Sequence, residues 1–204
     1  IDKLIPHYLA NFQPLASQIF DFFASQLPQN EIHDSCACFL SHLSQIYGCN
    51  DAFALHIYTF FQENVPDPFA YIAMGSSYEG IKEHFSYNEF SKELFSFFSQ
   101  GFTSQDDFTR LKSFQYFVPL IDIFFHYDDN INTTEAMEVL LSVISSENNV
   151  EVLYEEIKML SGLLNHYVLI YNQEIEYIIK LLDQLLDICP QSEYIIIIFS
   201  CYKS

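Results

Sequence analysis

The chain has 204 residues, 50% of them hydrophobic, and 27 acidic against 8 basic residues give it a formal net charge of −19. This much apolar content excludes wholesale disorder, while an apolar run such as residues 194–199 falls far short of the roughly 20 residues of a membrane-spanning helix. The charge excludes a nucleic-acid or anionic-lipid surface and favours cations or basic proteins as partners.

The imbalance comes from missing cations. Charged residues are 17% of the chain, and Arg110 is the sole arginine, against roughly 25% charged residues in an ordinary protein. The five cysteines, Cys36, Cys38, Cys49, Cys189 and Cys201, are odd in number and lack a framework spacing, so free thiols in a reducing compartment, cytoplasmic or nuclear, are expected. The N-terminus shows no charged-then-apolar signal pattern, but it begins at Ile1 and not at Met, so a fragment of a longer chain is expected.

Helical periodicity runs along the sequence. Leu15, Ile19, Phe22, Phe23 and Leu27 make one apolar face, bounded by Pro14 and Pro28. Ile32, Cys36, Phe39, Leu43 and Ile46 make a second, stopped by Gly48, a good C-cap residue. Asn50 is placed to cap a helix containing Phe53, Ile57, Phe60 and Phe61; Asp67 is placed to cap one that starts at Pro68. Residues 75–80, bracketed by glycines, read as a loop. Phe90, Leu94, Phe97 and Phe98 follow, ended by Gly101; then come Phe108, Leu111, Phe117, Ile121, Phe124 and Phe125, with a break at Pro119. Asn132 and Glu135 resemble a capping box before 136–144. Val152, Leu153, Ile157, Leu160 and Leu164 form the next stripe, and Ile175, Ile178, Ile179, Leu182, Leu185 and Leu186 another. The run 195–198 has the β-branching of a strand but helical neighbours. The expected class is all-α, in one domain spanning 1–204.

A short pattern recurs. Residues 19–23, 57–61, 94–98 and 121–125 all read Ile/Leu-x-x-Phe-Phe. The first three start at a period close to that of two-helix HEAT and armadillo units. On this pattern the chain resembles a HEAT/armadillo-type α-solenoid, with importin-β and exportin proteins similar to it in being acidic, helical and rich in Phe and Leu. The resemblance implies antiparallel helix pairs stacked side by side, a non-catalytic protein-binding role and nuclear transport as a setting. The fourth start comes early, and the Pro/Asp/Arg pattern usual in HEAT units is missing. A compact helical bundle is the alternative architecture.

Motifs for chemistry are thin. His33, Cys36, Cys38 and His42 invite a zinc reading, but helical geometry puts His33 with Cys36 on one face and Cys38 with His42 on nearly the opposite one, so the four cannot converge. Residues 128–132 resemble the start of an EF-hand loop, yet Thr133 stands where Gly is needed and Val139 where Glu is needed. The same acids resemble the aspartate-rich motif of class I terpene synthases, an all-α family, but a single arginine cannot clamp a diphosphate. No Gly-x-Ser-x-Gly or phosphate-cradling glycine loop is present. No catalytic residue, metal ligand or cofactor is therefore expected.

The expected role is a protein-protein interaction scaffold whose acidic surface takes a basic or amphipathic helical segment. The acidic pairs Asp106-Asp107, Asp128-Asp129 and Glu155-Glu156 are the candidate partner-binding residues, with Tyr78, beside Tyr71 and Tyr87, as the candidate surface aromatic. Two alternatives remain: a compact helical regulatory or host-targeting domain, and a small all-α metal-dependent enzyme.

Overall fold

The computed structural model describes residues 5–29, 31–84, 87–121, 133–166, 179–183 and 186. Among these residues there are helices and turns and no strand. The helices are α1 (Ile5–Gln26), α2 (His33–Tyr47), α3 (Asp51–Asn64), α4 (Pro68–Ile81), α5 (Tyr87–Phe102), α6 (Asp107–Phe117), α7 (Thr133–Ile144) and α8 (Val150–His166); Lys82–His84 and Val118–Leu120 are 3-10 turns. The chain divides into two compact units, Ile1–Gly101 and Phe102–Ser204.

Local chemistry starts several helices where the sequence predicts. The Asn50 side chain accepts from the amides of Ala52 and Phe53 at 3.1 and 3.2 Å, and Asp67 accepts from Phe69 N at 2.8 Å with Pro68 in the first turn. Each satisfies amides that a helix start otherwise leaves open. Pro119 sits in the 3-10 turn that follows α6, as a residue without an amide hydrogen requires.

Two expectations in the first unit are overturned. Pro14 lies inside α1, although an interior proline costs a helix about 3 kcal/mol. Ala16, Phe20 and Ala24, on the turns just beyond it, are buried in one line, and their packing offsets that cost. Residues 75–80 are not a loop but the second half of α4. Their glycine is there for contact: a Cβ on Gly80 would lie 2.3 Å from the backbone of Ser44 in α2, and one on Gly48 would lie 1.9 Å from Gly80 O. Glycine lets α4 and α2 cross backbone against backbone, and α4 packs on α2 more extensively than on any other helix of this unit.

The first unit has an aromatic core. Phe20, Phe53, Phe61, Tyr71 and Phe98 are fully buried. Phe61 meets Tyr71 edge-on at 5.8 Å and Phe97 at 5.7 Å between ring centres, an arrangement favoured by the ring quadrupole. Tyr71 donates its hydroxyl to Phe97 O at 3.0 Å, so the buried phenol has a partner, and burial raises its pKa. Tyr58 donates to Glu93, and its pKa is raised by burial and then by that carboxylate.

In the second unit α8 packs on α6 and α7. Val152, Leu153, Ile157, Leu160 and Leu164 are all buried, the stripe read from the sequence. Phe102 stacks on Phe114 at 4.3 Å. A Cβ on Gly162 would touch the Ile121 side chain at 3.0 Å.

Candidate functional site

The sole arginine organises the polar end of the second unit. Arg110, on α6, donates from Nε and Nη2 to the two carboxylate oxygens of Glu147 at 2.8 and 3.0 Å. Its Nη1 donates to Ser104 O at 2.9 Å and Nη2 also to Asp107 at 2.8 Å. Most of the guanidinium's donors are thus spent inside the protein. Glu147 accepts in addition from the amides of Asn148 and Asn149, both at 2.8 Å. Burial pushes the Glu147 carboxyl up, but the bonds from Arg110, Asn149 and Asn148 more than reverse this and hold it below the usual range. Asn149 caps α8 through the amides of Glu151 and Val152 and donates to Asp107 at 2.9 Å. The bonds from Asn149 and then Arg110 lower the Asp107 carboxyl.

A cavity of about 590 Å³ opens beside this cluster, with Ser104, Asp107, Arg110, Glu147 and Asn149 in its lining. Its charged groups answer one another and leave little for a ligand. Glu156, one turn into α8 beyond Val152, is fully buried, and neither carboxylate oxygen has a hydrogen-bond partner. Burial first, then the nearby Glu147 charge, pushes its pKa up to about 8, with Arg110 opposing. A raised carboxyl can mark an acid catalyst, but this one does not line the cavity and is closed to solvent.

Four of the candidate acids have partners or burial within the fold. Asp106 is the N-cap of α6, accepting from Thr109 N and Oγ1 at 2.8 and 2.7 Å. Asp107 belongs to the arginine cluster. Glu155 is buried and pairs with Lys158 at 2.7 Å, and Glu156 is buried outright, so these two are not surface acids. Tyr78 and Tyr71 are buried too: once 75–80 is helix, their spacing turns them into the core. Asp128, Asp129 and the 128–132 segment lie outside the described residues, as does the side chain of Tyr87.

The Cys/His cluster divides as helical geometry requires. Cys36 is buried, and burial raises its pKa; His33 Nδ1 is 2.8 Å from Leu27 O. Cys38 Sγ lies 3.6 Å from His42 Nδ1 on the exposed side, where the imidazole also contacts Cys38 O at 2.8 Å. No group of three or more His, Cys, Asp or Glu is placed to hold a metal among the described residues, and Cys36, Cys38 and Cys49 are free.

Phe108 of α6, expected in a core stripe, is exposed, and the first unit departs further from its expected stripes. Leu15 and Phe22 of α1, Phe39 and Ile46 of α2, and Ile32 at the N-cap of α2 were expected in the core, and all are exposed, Phe22 at 59% and Phe39 at 39%. Leu27, Cys36 and Leu43 of the expected stripes are buried, and the rest of the buried faces runs one position on, through Ala16, Phe20 and Ala24 on α1 and Leu40 on α2. Leu15 and Phe22 on α1, and Phe39 and Ile46 on α2, are seven positions apart, which keeps each pair on one side of its helix. Phe22 meets Phe23 edge-on at 5.3 Å, and Phe23 stacks on Phe39 at 4.0 Å, so the rings run unbroken from α1 to α2. Beside Phe39 an open trough of about 450 Å³ is lined by Asp34, Ser35, Cys38, Phe39 and His42. From Lys3 to Lys82 there is no other Lys or Arg, whereas Asp21, Glu31, Asp34, Asp51, Glu63, Asp67 and Glu79 are all exposed.

Comparison with known proteins finds no matching family model, no matching curated protein and no matching solved structure. The fold and the site define a class only: an all-helical chain with a bare aromatic face in an acidic surround. No helix among the described residues is long and apolar enough to cross a membrane.

Proposed function

We propose that the chain is a non-catalytic protein-binding module for a cationic, amphipathic protein segment. The observation that supports this is the segregation of charge. The helices of α1–α4 carry exposed acids and no Lys or Arg, and Arg110 of the second unit is consumed by Glu147, Asp107 and Ser104. Such a surface speeds encounter with basic partners and disfavours acidic ones. The helix pairs are read as a stack of the HEAT/armadillo kind, with nuclear transport the setting that this resemblance implies and a cytoplasmic or nuclear location to match.

The test is a titration with two labelled helical peptides of equal length, one built of Leu and Lys and one of Leu and Glu. The Leu/Lys peptide should bind and weaken steeply with salt, and the Leu/Glu peptide should not bind. Equal binding of both would overturn the charge reading. Small-angle scattering tests the architecture: an elongated particle supports the stack, and a near-spherical one favours the compact regulatory or host-targeting domain.

A further inference from the structure

We infer that the partner docks on the α1–α2 face, and that its docking element is a basic amphipathic helix of another protein, lying along Leu15 and Phe22 on one side and Ile32, Phe39 and Ile46 on the other. The inference rests on the protein-binding reading above and names the surface and the shape of the ligand.

Three features of this face converge. The first is exposure: large apolar side chains scattered singly are ordinary, but a contiguous strip is a mark of an interaction surface. Here the rings of Phe22, Phe23 and Phe39 touch in sequence across two helices, and exposed Leu15 and Ile46 stand seven positions from Phe22 and Phe39 on the same helices, with exposed Ile32 at the N-cap of α2. The second is period. A spacing of seven on a helix is the spacing that a second helix reads through its own apolar seam. An extended strand would present alternate residues and match neither row. The third is charge. Glu31 and Asp34 are exposed beside Ile32 and the trough, and Asp21 precedes Phe22, while no Lys or Arg occurs on α1–α4. A helix whose apolar seam is flanked by Lys or Arg therefore meets carboxylates on the rim and rings at the centre, the usual division between a polar rim and an apolar core. A second copy of this chain would bring the same acids against one another at an interface related by two-fold symmetry, so a foreign helix is the fitting occupant.

The face carries its own reporter. Cys38 is a free, exposed thiol in the trough beside Phe39, whereas Cys49, also free and exposed, lies in the turn between α2 and α3. The experiment uses the whole chain and the Leu/Lys peptide as probe. Iodoacetamide labelling, read residue by residue by mass spectrometry, should slow at Cys38 by roughly tenfold in the presence of saturating peptide and stay unchanged at Cys49. The double variant Phe22→Gln/Phe39→Gln should bind the peptide roughly tenfold more weakly, as loss of central aromatic anchors does, with its helical circular dichroism retained. Should that variant fold poorly, Asp34→Lys replaces it, weakening the peptide at low salt and less at high salt.

Peptide that binds the variants as tightly as the parent and leaves Cys38 unprotected would overturn the docking surface while the protein-binding reading stands. Failure of the peptide to bind the parent chain would remove both. Concentration-dependent self-association that the peptide displaces and Phe39→Gln abolishes would overturn the foreign partner in favour of a second copy.

Discussion

The two units deal with polarity in opposite ways. In the second, Arg110, Glu147, Asp107 and Asn149 form a closed set of hydrogen bonds, and a neighbouring cavity is left with few unspent groups. In the first, the core is made of rings, the acids lie outside it, and a strip from Phe22 to Phe39 is bare. The cluster that looks most like a site is therefore a structural clamp, and the surface that looks like stray core is the better candidate for recognition. Charge that is answered within the chain stabilises it; apolar area left in water has no such internal reason.

The contrast can be broken most severely at Gly80. Gly80→Val sets side-chain atoms into the Ser44 backbone, with no flexible side chain to move aside, so the cost to the first unit should exceed the roughly 1–3 kcal/mol typical of overpacking and leave it largely unfolded. Urea denaturation of the variant should show a large loss of stability, and an unchanged midpoint would mean that α2 and α4 do not cross where described.

Next comes the buried carboxyl. Glu156 has a folded pKa of about 8 against an ordinary 4.5. Its neutral form is the one that suits the fold, so its contribution is full below 4.5 and is lost as pH rises through 8. By linkage the loss is on the order of 5 kcal/mol over that window. Glu156→Gln keeps the shape and removes the titration. Its stability, followed from pH 5 to 9, should be flatter than the parent's and higher at the alkaline end. Parallel curves would mean that Glu156 ionises freely in the folded chain.

Cutting the clamp is expected to matter somewhat less. The Arg110 and Glu147 side chains are 16% and 5% exposed, so Arg110→Ala leaves a carboxylate buried without its cation, at about 3 kcal/mol. Binding of the Leu/Lys peptide by the variant should be unchanged at a temperature where it is folded. A loss of binding beyond the loss of folded protein would return the clamp to the list of recognition elements.

The smallest effect falls on the α6 cap. Asp106→Ala removes the bonds to Thr109 and should cost about 1 kcal/mol, seen as a modest fall in thermal midpoint, without weakening the peptide. A stable variant that lost the peptide would restore Asp106 as a partner-binding residue.

Much of the helical layout was legible because its causes are local. Asn50 and Asp67 reach amides two or three residues away, and the α8 stripe repeats at the helical period over its whole length. The placement of His33, Cys36, Cys38 and His42 followed from helical angles alone. The site was far less legible. Tyr78 and Glu156 are exposed or buried according to what packs on α4 and α8, and adjacent glutamates carry no mark saying which one points inward.

The sequence by itself determined an acidic, all-helical chain, the starts of several helices, and the absence of cations from α1–α4, since these follow from composition and from bonds within one turn. Only the tertiary structure decided that α1 continues through Pro14, that Gly80 is a helix crossing and not a loop, that Arg110 is spent on Glu147, and which side of the α1 and α2 apolar stripes stays bare. Each of those outcomes depends on a neighbour distant in sequence, and the free energy of burying a side chain is set by that neighbour's surface and not by the residue's own pattern.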